Sequence, residues 1–315
     1  MKTLTRAEAA GFFLTGDRFS ILTHRRPDGD TLGSAAALCL GLRKMGKEAW
    51  VVDPTEPLEH LGWLLADITK EAAEENDTIV AVDVAAPNML PRDTADLAEK
   101  CALRIDHHGS STPFAEQELV DPESASCAEI ICDILTILGV QLDEDMADAI
   151  YVGVSTDTGC FRYGNTNAHC FLVASVCAQA GADIQGLNLE LFETNSLAKL
   201  RIQAWIVEHV KLFDEGRLAI VAIPRAVEER LGVTEADMGN MSSYARTIEG
   251  VCLAATMRQG KFGETKISLR AVPGYDAAAV CERFGGGGHP GAAGATTRMS
   301  MEEAARLLEE YMLEA

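Results

Sequence analysis

Positive charge is scarce in this chain: 27 lysines and arginines stand against 48 aspartates and glutamates, a net charge of −21. A protein that follows long RNA or DNA gains affinity by neutralising many phosphates with cationic side chains. The balance therefore argues against a processive, long-duplex binder. The nine cysteines include no C-x-x-C pair, so zinc-ribbon and dithiol redox chemistry have no motif to rest on. Cys127 and Cys132, on the helical stretch SCAEIICDILTILG, read as small buried thiols. No segment reaches the roughly 20 apolar residues of a membrane span, and MKTLTRAEAAGFFLTG is too polar for a secretory leader. The expectation is a cytoplasmic protein without membrane contact.

What is present is an α/β alternation. RFSILTH, KEAWVVD, DTIVAVD and CALRI are short β-branched and aliphatic runs, and TLGSAAALCLGLRKMG after the first is helical. This pattern predicts a parallel sheet. From Ser124 the chain turns helical, with SASCAEIICDILTILG, DEDMADAIYVGVSTDTG and NAHCFLVASVCAQAGA, the last stopped by Gly181. LNLELFETNSLAKLRIQAWIVEHVKL has no Gly or Pro after its start and reads as a continuous helix. Beyond it, strands RLAIVAI, GVCLAATMRQ and ETKISLRA, and helices DAAAVCERF and MSMEEAARLLEEYM, predict a second, smaller α/β domain. The expected division is a catalytic domain over residues 1–186, a helical connector over 187–212 and the second domain over 213–315. Trp50, Trp63 and Trp205 read as core, and His60 and His209 as surface or half-buried helical residues.

Three of the strand-like runs carry an acid or histidine at the C-terminal end: His24 in HRRPDGD with Asp28 and Asp30, Asp83, and Asp106 with His107 and His108. Asp157 of GVSTDTG adds a further acid. In an open parallel sheet those ends face the ligand crevice. An aspartate placed there has no basic residue of its own motif fixed beside it. Helix capping is the alternative for each one, most plainly for Asp30 before TLGSAAALCLGLRKMG, but a set of independent caps at strand ends is the poorer explanation. Oxygen and imidazole donors without thiolate suit two Mn²⁺ or Mg²⁺ ions, with manganese favoured by the mixture. A pair of such ions clamps both oxygens of an in-line displacement at phosphorus, which points to phosphoester hydrolysis. Bound ions would also offset part of the acidic excess.

The run GGGGHPGAAG, residues 285–294, costs backbone entropy on folding. Missing side chains at Gly286, Gly287 and Gly288 let backbone N–H groups approach an anion, and His289 can donate to phosphate or stack on a base. A flexible linker is the other reading. Arg270 and Lys266 are cationic candidates on the neighbouring strand and Arg162 another after GVSTDTG, each with an ordinary exposed position as its alternative.

These motifs, in this order, resemble the DHH/DHHA1 phosphoesterases of the RecJ-like superfamily. The resemblance rests on His24-x-x-Pro-Asp28-Gly-Asp30, Gly33-Ser34, Asp83, Asp106-His107-His108, Thr156-Asp157-Thr158-Gly159, Lys266-Ile-Ser268-Leu-Arg270 and the glycine run. The compact length and the GGGGH ending are most similar to the NrnA-type branch of nano-RNases and pAp phosphatases. The resemblance implies one metal on His24, Asp28 and Asp83 and another on Asp30, Asp83, His107 and Asp157. It implies that His108 touches phosphate or the leaving oxygen, with Asp106 orienting the imidazoles. It implies further that the second domain, with Ser268 among its residues, holds the terminal phosphate and base. Where the family often has an asparagine after its histidines, this chain reads Gly109-Ser110-Ser111-Thr112. The expected partners are short RNA oligonucleotides and small nucleotides, and a homodimer is allowed. Cyclic or linear dinucleotide hydrolysis is the rival activity, pyrophosphate hydrolysis a weaker one, and a non-catalytic nucleotide sensor the rival outside enzymology.

Overall fold

The computed structural model describes residues 2–56, 58–239 and 241–313. The chain divides into two compact units, Met1–Thr194 and Asn195–Ala315.

The first unit begins with β1 (Lys2–Thr3), α1 (Arg6–Thr15), β2 (Arg18–Leu22), α2 (Gly29–Lys44), β3 (Glu48–Val52) and β4 (Thr69–Lys70). It continues through β5 (Thr78–Val82), β6 (Cys101–Asp106), β7 (Gln117–Val120), α3 (Cys127–Ile137), α4 (Glu144–Asp157), α5 (Ala168–Ala180) and α6 (Ile184–Asn188). Its seven strands form one sheet in the order β1-β7-β6-β5-β2-β3-β4, and every pair is parallel. Strands β2, β3, β5 and β6 were legible because their apolar runs are largely buried, whereas the two-residue β1 and β4 and the polar-led β7 carry no such run and were not expected. After β2 the chain adds β3 and β4 on one side, then returns to add β5, β6 and β7 on the other. That reversal between β2 and β5 is where an open sheet offers a ligand crevice. The main core lies between the sheet and α1 to α3 and continues where α4 and α5 pack on α2 and α3, with Phe13, Ile21, Leu38, Val80, Ile105 and Ile130 essentially inaccessible.

Helix ends follow local chemistry. Thr5 and Glu8 form a reciprocal cap on α1, Ser126 accepts from Glu129 N at the start of α3, and Gly181 ends α5 in the left-handed region.

The second unit comprises α7 (Leu197–His209), β8 (Lys211–Phe213), β9 (Leu218–Ile223), α8 (Arg225–Leu231), α9 (Glu235–Met238), α10 (Met241–Tyr244), β10 (Leu253–Gln259) and β11 (Thr265–Ala271). It ends with α11 (Ala277–Glu282), β12 (Gly287–His289), β13 (Ala292–Thr297) and α12 (Met301–Leu313). Six strands form a sheet in the order β12-β13-β11-β10-β9-β8, parallel only between β9 and β10. One face packs on α11 and α12; part of the other packs on α7, α9 and α10.

Two readings of the sequence change, that of residues 187–212 and that of the tryptophans, and the linker alternative for the glycine run falls away. Residues 187–212 are not one helix: α6 runs into a π-helical turn over Leu189–Glu193, Ser196 caps a fresh helix by accepting from Lys199 N at 2.9 Å, and Lys211 to Phe213 join the sheet. The hydroxyl cap and the edge of β9 outcompete helix continuation there. The glycine run is not a loose linker, since Gly287 to His289 pair antiparallel with β13. A Cβ at Gly286 would meet Gly294 O at 2.2 Å and one at Gly288 would meet Ala292 O at 2.6 Å, so close backbone approach requires glycine at both positions. Finally, Trp63 is 40% exposed, whereas Trp50 is half-buried under the Arg43 guanidinium, 4.0 Å from the ring centroid.

Candidate metal centre

The crevice residues are delivered by the ends of β2, β5 and β6 and by the termini of α2 and α4. His24 follows β2 by two residues, Asp83 directly follows β5 and Asp106 is the last residue of β6. Asp83 adopts φ 57°, a left-handed conformation costing a non-glycine residue about 1–2 kcal/mol. Its backbone N–H still donates to Ile105 O at 2.9 Å, so the sheet holds the strained residue in place.

Helix α2 is capped by Asp28, not Asp30: Asp28 Oδ1 accepts from the N–H groups of Asp30 and Thr31. Asp30 lies inside the first turn, fully buried, and reaches across to accept from Cys127 N at 2.6 Å and Ala128 N at 2.9 Å. It thereby occupies the positive N-terminus of α3. Asp157, at the C-terminal end of α4, comes beside it because α2, α3 and α4 pack very closely. A Cβ at Gly153 would sit 2.4 Å from Ala128 Cβ and 2.8 Å from Asp30 Oδ1, and one at Gly33 would sit 2.2 Å from Ala149 O.

The donor atoms form three overlapping groups: His24, Asp28 and Asp83; Asp30, His107 and Asp157; and Asp83, His107 and His108. His24 Nε2 is 3.5 Å from both Asp28 Oδ1 and Asp83 Oδ2. His107 Nε2 is 3.7 Å from Asp30 Oδ2, 3.6 Å from Asp83 Oδ1 and 3.3 Å from Asp157 Oδ2. Two ligands each about 2.1 Å from one ion stand roughly 3–3.4 Å apart, so these separations are close to those of ligands around a common cation. The ring orientations agree. His24 Nδ1 meets Arg25 O at 2.9 Å and His107 Nδ1 meets Ser124 O at 3.3 Å. With the proton on Nδ1, each ring turns its Nε2 lone pair toward the carboxylates.

Asp83 Oδ1 is buried without a hydrogen-bond partner, a cost that persists only where something else satisfies the oxygen. Burial and mutual repulsion drive the carboxyls upward: Asp157 is pushed up to about 9 by desolvation and by Asp30, Asp83 and Asp28. Asp83 is raised by desolvation and by Asp30, and Asp30 by desolvation, against the pull of His107. For His24, burial opposes the charge, but Asp28 and Asp83 raise its pKa to about 11, so in the absence of a cation a proton on Nε2 takes the place a metal would fill. A cluster of carboxylates this short of positive charge fits divalent cations, which would relieve the repulsion. Cys127 lies near but is no thiolate donor: desolvation and the charges of Asp30 and Asp83 raise its thiol well above the usual range.

His108 differs from the other two histidines. Its Nδ1 lies 2.8 Å from Asp106 Oδ1, which also accepts from the backbone N–H groups of His107 and His108. The Asp106 contact raises the His108 pKa against the opposing effect of burial. Nε2 is left as the nitrogen that can meet a substrate oxygen. The expectation that no basic residue stands beside the strand-end acids is wrong for Asp106. Arg104, two residues earlier on β6, bonds its Oδ2 at 3.0 Å. A charge inside the apolar run LRI was the signal for it. Gly153 was also missed, since nothing local marks a glycine needed for interhelical contact.

In the second unit, Lys266, Ser268 and Arg270 alternate with the buried Ile267 and Leu269 and so share one face of β11. Register places Arg270, Ala292 and His289 in one transverse row, and Ser268, Gly294 and Gly287 in the next. Gly288 pairs with Ala293 in the row of Leu269, so it belongs to the opposite face. His289 is exposed. Arg162 belongs to the first unit, exposed beyond α4, with Nε donating to Gly159 O at 2.6 Å.

The chain matches the family model described as "DHH family, N-terminal domain" over residues 18–154 and that described as "DHHA1 domain" over residues 217–314. It is 32% identical over 282 residues to the bifunctional oligoribonuclease and PAP phosphatase NrnA of Thermus thermophilus, covering 88% of this chain and 83% of that protein. It is 26% identical over 288 residues to a probable enzyme of the same description from Streptococcus mutans, covering 89% and 90%. A solved exopolyphosphatase-related protein from Bacteroides fragilis has the same fold, with a TM-score of 0.89 at 24% identity, covering 98% of this chain and 96% of that one.

Proposed function

This chain belongs to the DHH family and carries a DHHA1 domain, and from that premise we propose that it is a two-metal phosphoesterase acting in the cytoplasm on short oligoribonucleotides and 3′-phosphorylated adenosine nucleotides such as pAp. The observation that carries this reading is the relationship to an oligoribonuclease and PAP phosphatase along 88% of the chain. His24, Asp28 and Asp83 hold one divalent ion and Asp30, Asp83, His107 and Asp157 the other, with Asp83 shared. Mn²⁺ suits this mixture of oxygen and imidazole donors, with Mg²⁺ the alternative. Bound ions supply Lewis acidity at the phosphoryl group and at the attacking water.

The remaining work falls to side chains. His108, oriented by Asp106, presents Nε2 to a phosphoryl or leaving oxygen, where charge develops. Arg270, Lys266, Ser268 and His289, with the backbone at Gly286, Gly287 and Gly288, hold the terminal phosphate and base, and Arg162 adds a cation in the first unit. The net charge of −21 disfavours a long polyanion. The test is incubation of the purified chain with Mn²⁺ and pAp, di- to pentaribonucleotides, cyclic di-AMP or pyrophosphate, followed by chromatography of the products. AMP from pAp and mononucleotides from the short RNAs are expected. Preferential hydrolysis of cyclic di-AMP or pyrophosphate, or nucleotide binding without hydrolysis, would overturn the reading.

A further inference from the structure

Arg104 is 1% exposed and is among the largest fully buried side chains. Its guanidinium donates to Glu118 Oε2 at 2.5 Å, Asp106 Oδ2 at 3.0 Å, Val84 O at 3.1 Å, Ala85 O at 3.2 Å and Ser111 Oγ at 3.2 Å. Glu118, also buried, uses its other oxygen to accept from Phe114 N and Ala115 N, both at 3.0 Å. One cation therefore links the end of β5, the end of β6, β7 and the segment 109–116. That segment contains Gly109-Ser110-Ser111-Thr112, where the family's asparagine is missing.

Stability alone is a poor reason for such a group, because a buried ion cluster is often no more stable than apolar residues of similar volume. A planar fork does provide direction. Asp106 Oδ1 must serve two backbone N–H groups and the His108 ring at once, which fixes the plane of its carboxylate; Arg104 on Oδ2 holds that plane. We propose that Arg104 is a positioning residue for the hydrolytic reaction. It locks the Asp106 carboxylate and the segment after the two histidines, and so sets the direction in which His108 presents Nε2. The proposal rests on the phosphoesterase reading for its kinetic consequence, while its geometric consequence stands without it.

The experiment compares wild type with Arg104→Met, Arg104→Met/Glu118→Gln and Arg104→Lys. Arg104→Met leaves buried Glu118 without its cation and Asp106 Oδ2 without the guanidinium, and is expected to lose thermal stability. The double variant removes one of those charges yet keeps an amide oxygen for Phe114 N and Ala115 N, so most of the lost Tm should return. Its kcat on pAp with Mn²⁺ should nevertheless stay at least about 10-fold below wild type, with KM within about threefold. Arg104→Lys keeps the charge and decides the matter if the double variant folds poorly: one ammonium cannot replace the fork, and kcat should fall about fivefold or more. A kcat within twofold of wild type in either folded variant would reduce Arg104 to a packing role. Crystal structures without metal give the independent readout, in which Arg104→Lys should lose the single His108 rotamer and its 2.8 Å contact with Asp106 Oδ1. An unchanged ring would overturn the proposal even if the wild type proved inactive on every nucleotide tested, whereas that inactivity would by itself sink only the proposed function.

Discussion

Gly153→Ala should damage the metal centre from behind. The added methyl would lie 2.4 Å from Ala128 Cβ and 2.8 Å from Asp30 Oδ1, whereas carbon atoms rest about 3.5–4.0 Å apart. Roughly 1 Å must open between α4 and the pair α2 and α3, and both Ala128 and the neighbouring Asp30 belong to rigid helix termini. Overpacking of this kind costs about 1–3 kcal/mol, which at about 2–4 °C per kcal/mol for a unit of this size lowers Tm by roughly 2–12 °C. Activity should suffer more, because the shift separates Asp30 from Asp157 and a 1 Å misplacement of reacting groups can cost about 100-fold. Differential scanning calorimetry and steady-state turnover of pAp read the two effects. Gly164→Ala, where an added methyl meets nothing within 4 Å, is the control and should match wild type. A Gly153→Ala protein with wild-type Tm and turnover would refute the claim that helix approach sets the geometry of the carboxylates.

Other expectations follow from single groups. Burial would raise the Asp77 carboxyl, but Glu74 N, Ser20 Oγ and Arg18 more than offset it, so its pKa is lowered. A depressed folded-state pKa contributes stability above the ordinary carboxylate range that is lost as pH falls through the folded value. Asp77→Asn should therefore cost about 1–2 kcal/mol at neutral pH and flatten the acid limb of stability, and an unchanged urea midpoint from pH 7 to 3 relative to wild type would count against it. His289→Ala and Arg270→Ala should lower kcat/KM for pAp and dinucleotides far more than for bis-p-nitrophenyl phosphate, which lacks a base and terminal phosphate; equal losses on both would move these residues out of substrate capture. Hydrolysis should fall steeply beyond about five nucleotides because a net charge of −21 disfavours capture of a longer polyanion, and equal rates on 2- and 24-nucleotide RNAs at one salt concentration would contradict that.

What the sequence made legible was local. A β-branched run ending in Asp83 or Asp106 declares both its strand and its position at the strand end, because the period of a strand and the polarity of a parallel sheet are set by neighbouring residues. What stayed hidden depends on partners far along the chain. Arg104 was passed over, because the Glu118 that pairs with it lies on the next strand. Asp30 was read as a metal ligand, but its bond to the N-terminus of α3, 97 residues on, could not be read locally. Gly286 and Gly288 owe their identity to β13 lying against them, and the break in the connector to a serine cap followed by pairing with β9.

The central claim is that two divalent ions share Asp83. Calorimetric titration of the metal-free protein with Mn²⁺, carried out on wild type and Asp83→Asn under the same buffer, tests it most directly. Two ions per chain are predicted for wild type, and the loss of tight binding at both sites for Asp83→Asn, with the fold retained by circular dichroism. One ion or none in the wild type, or two undiminished sites in the variant, would contradict the account.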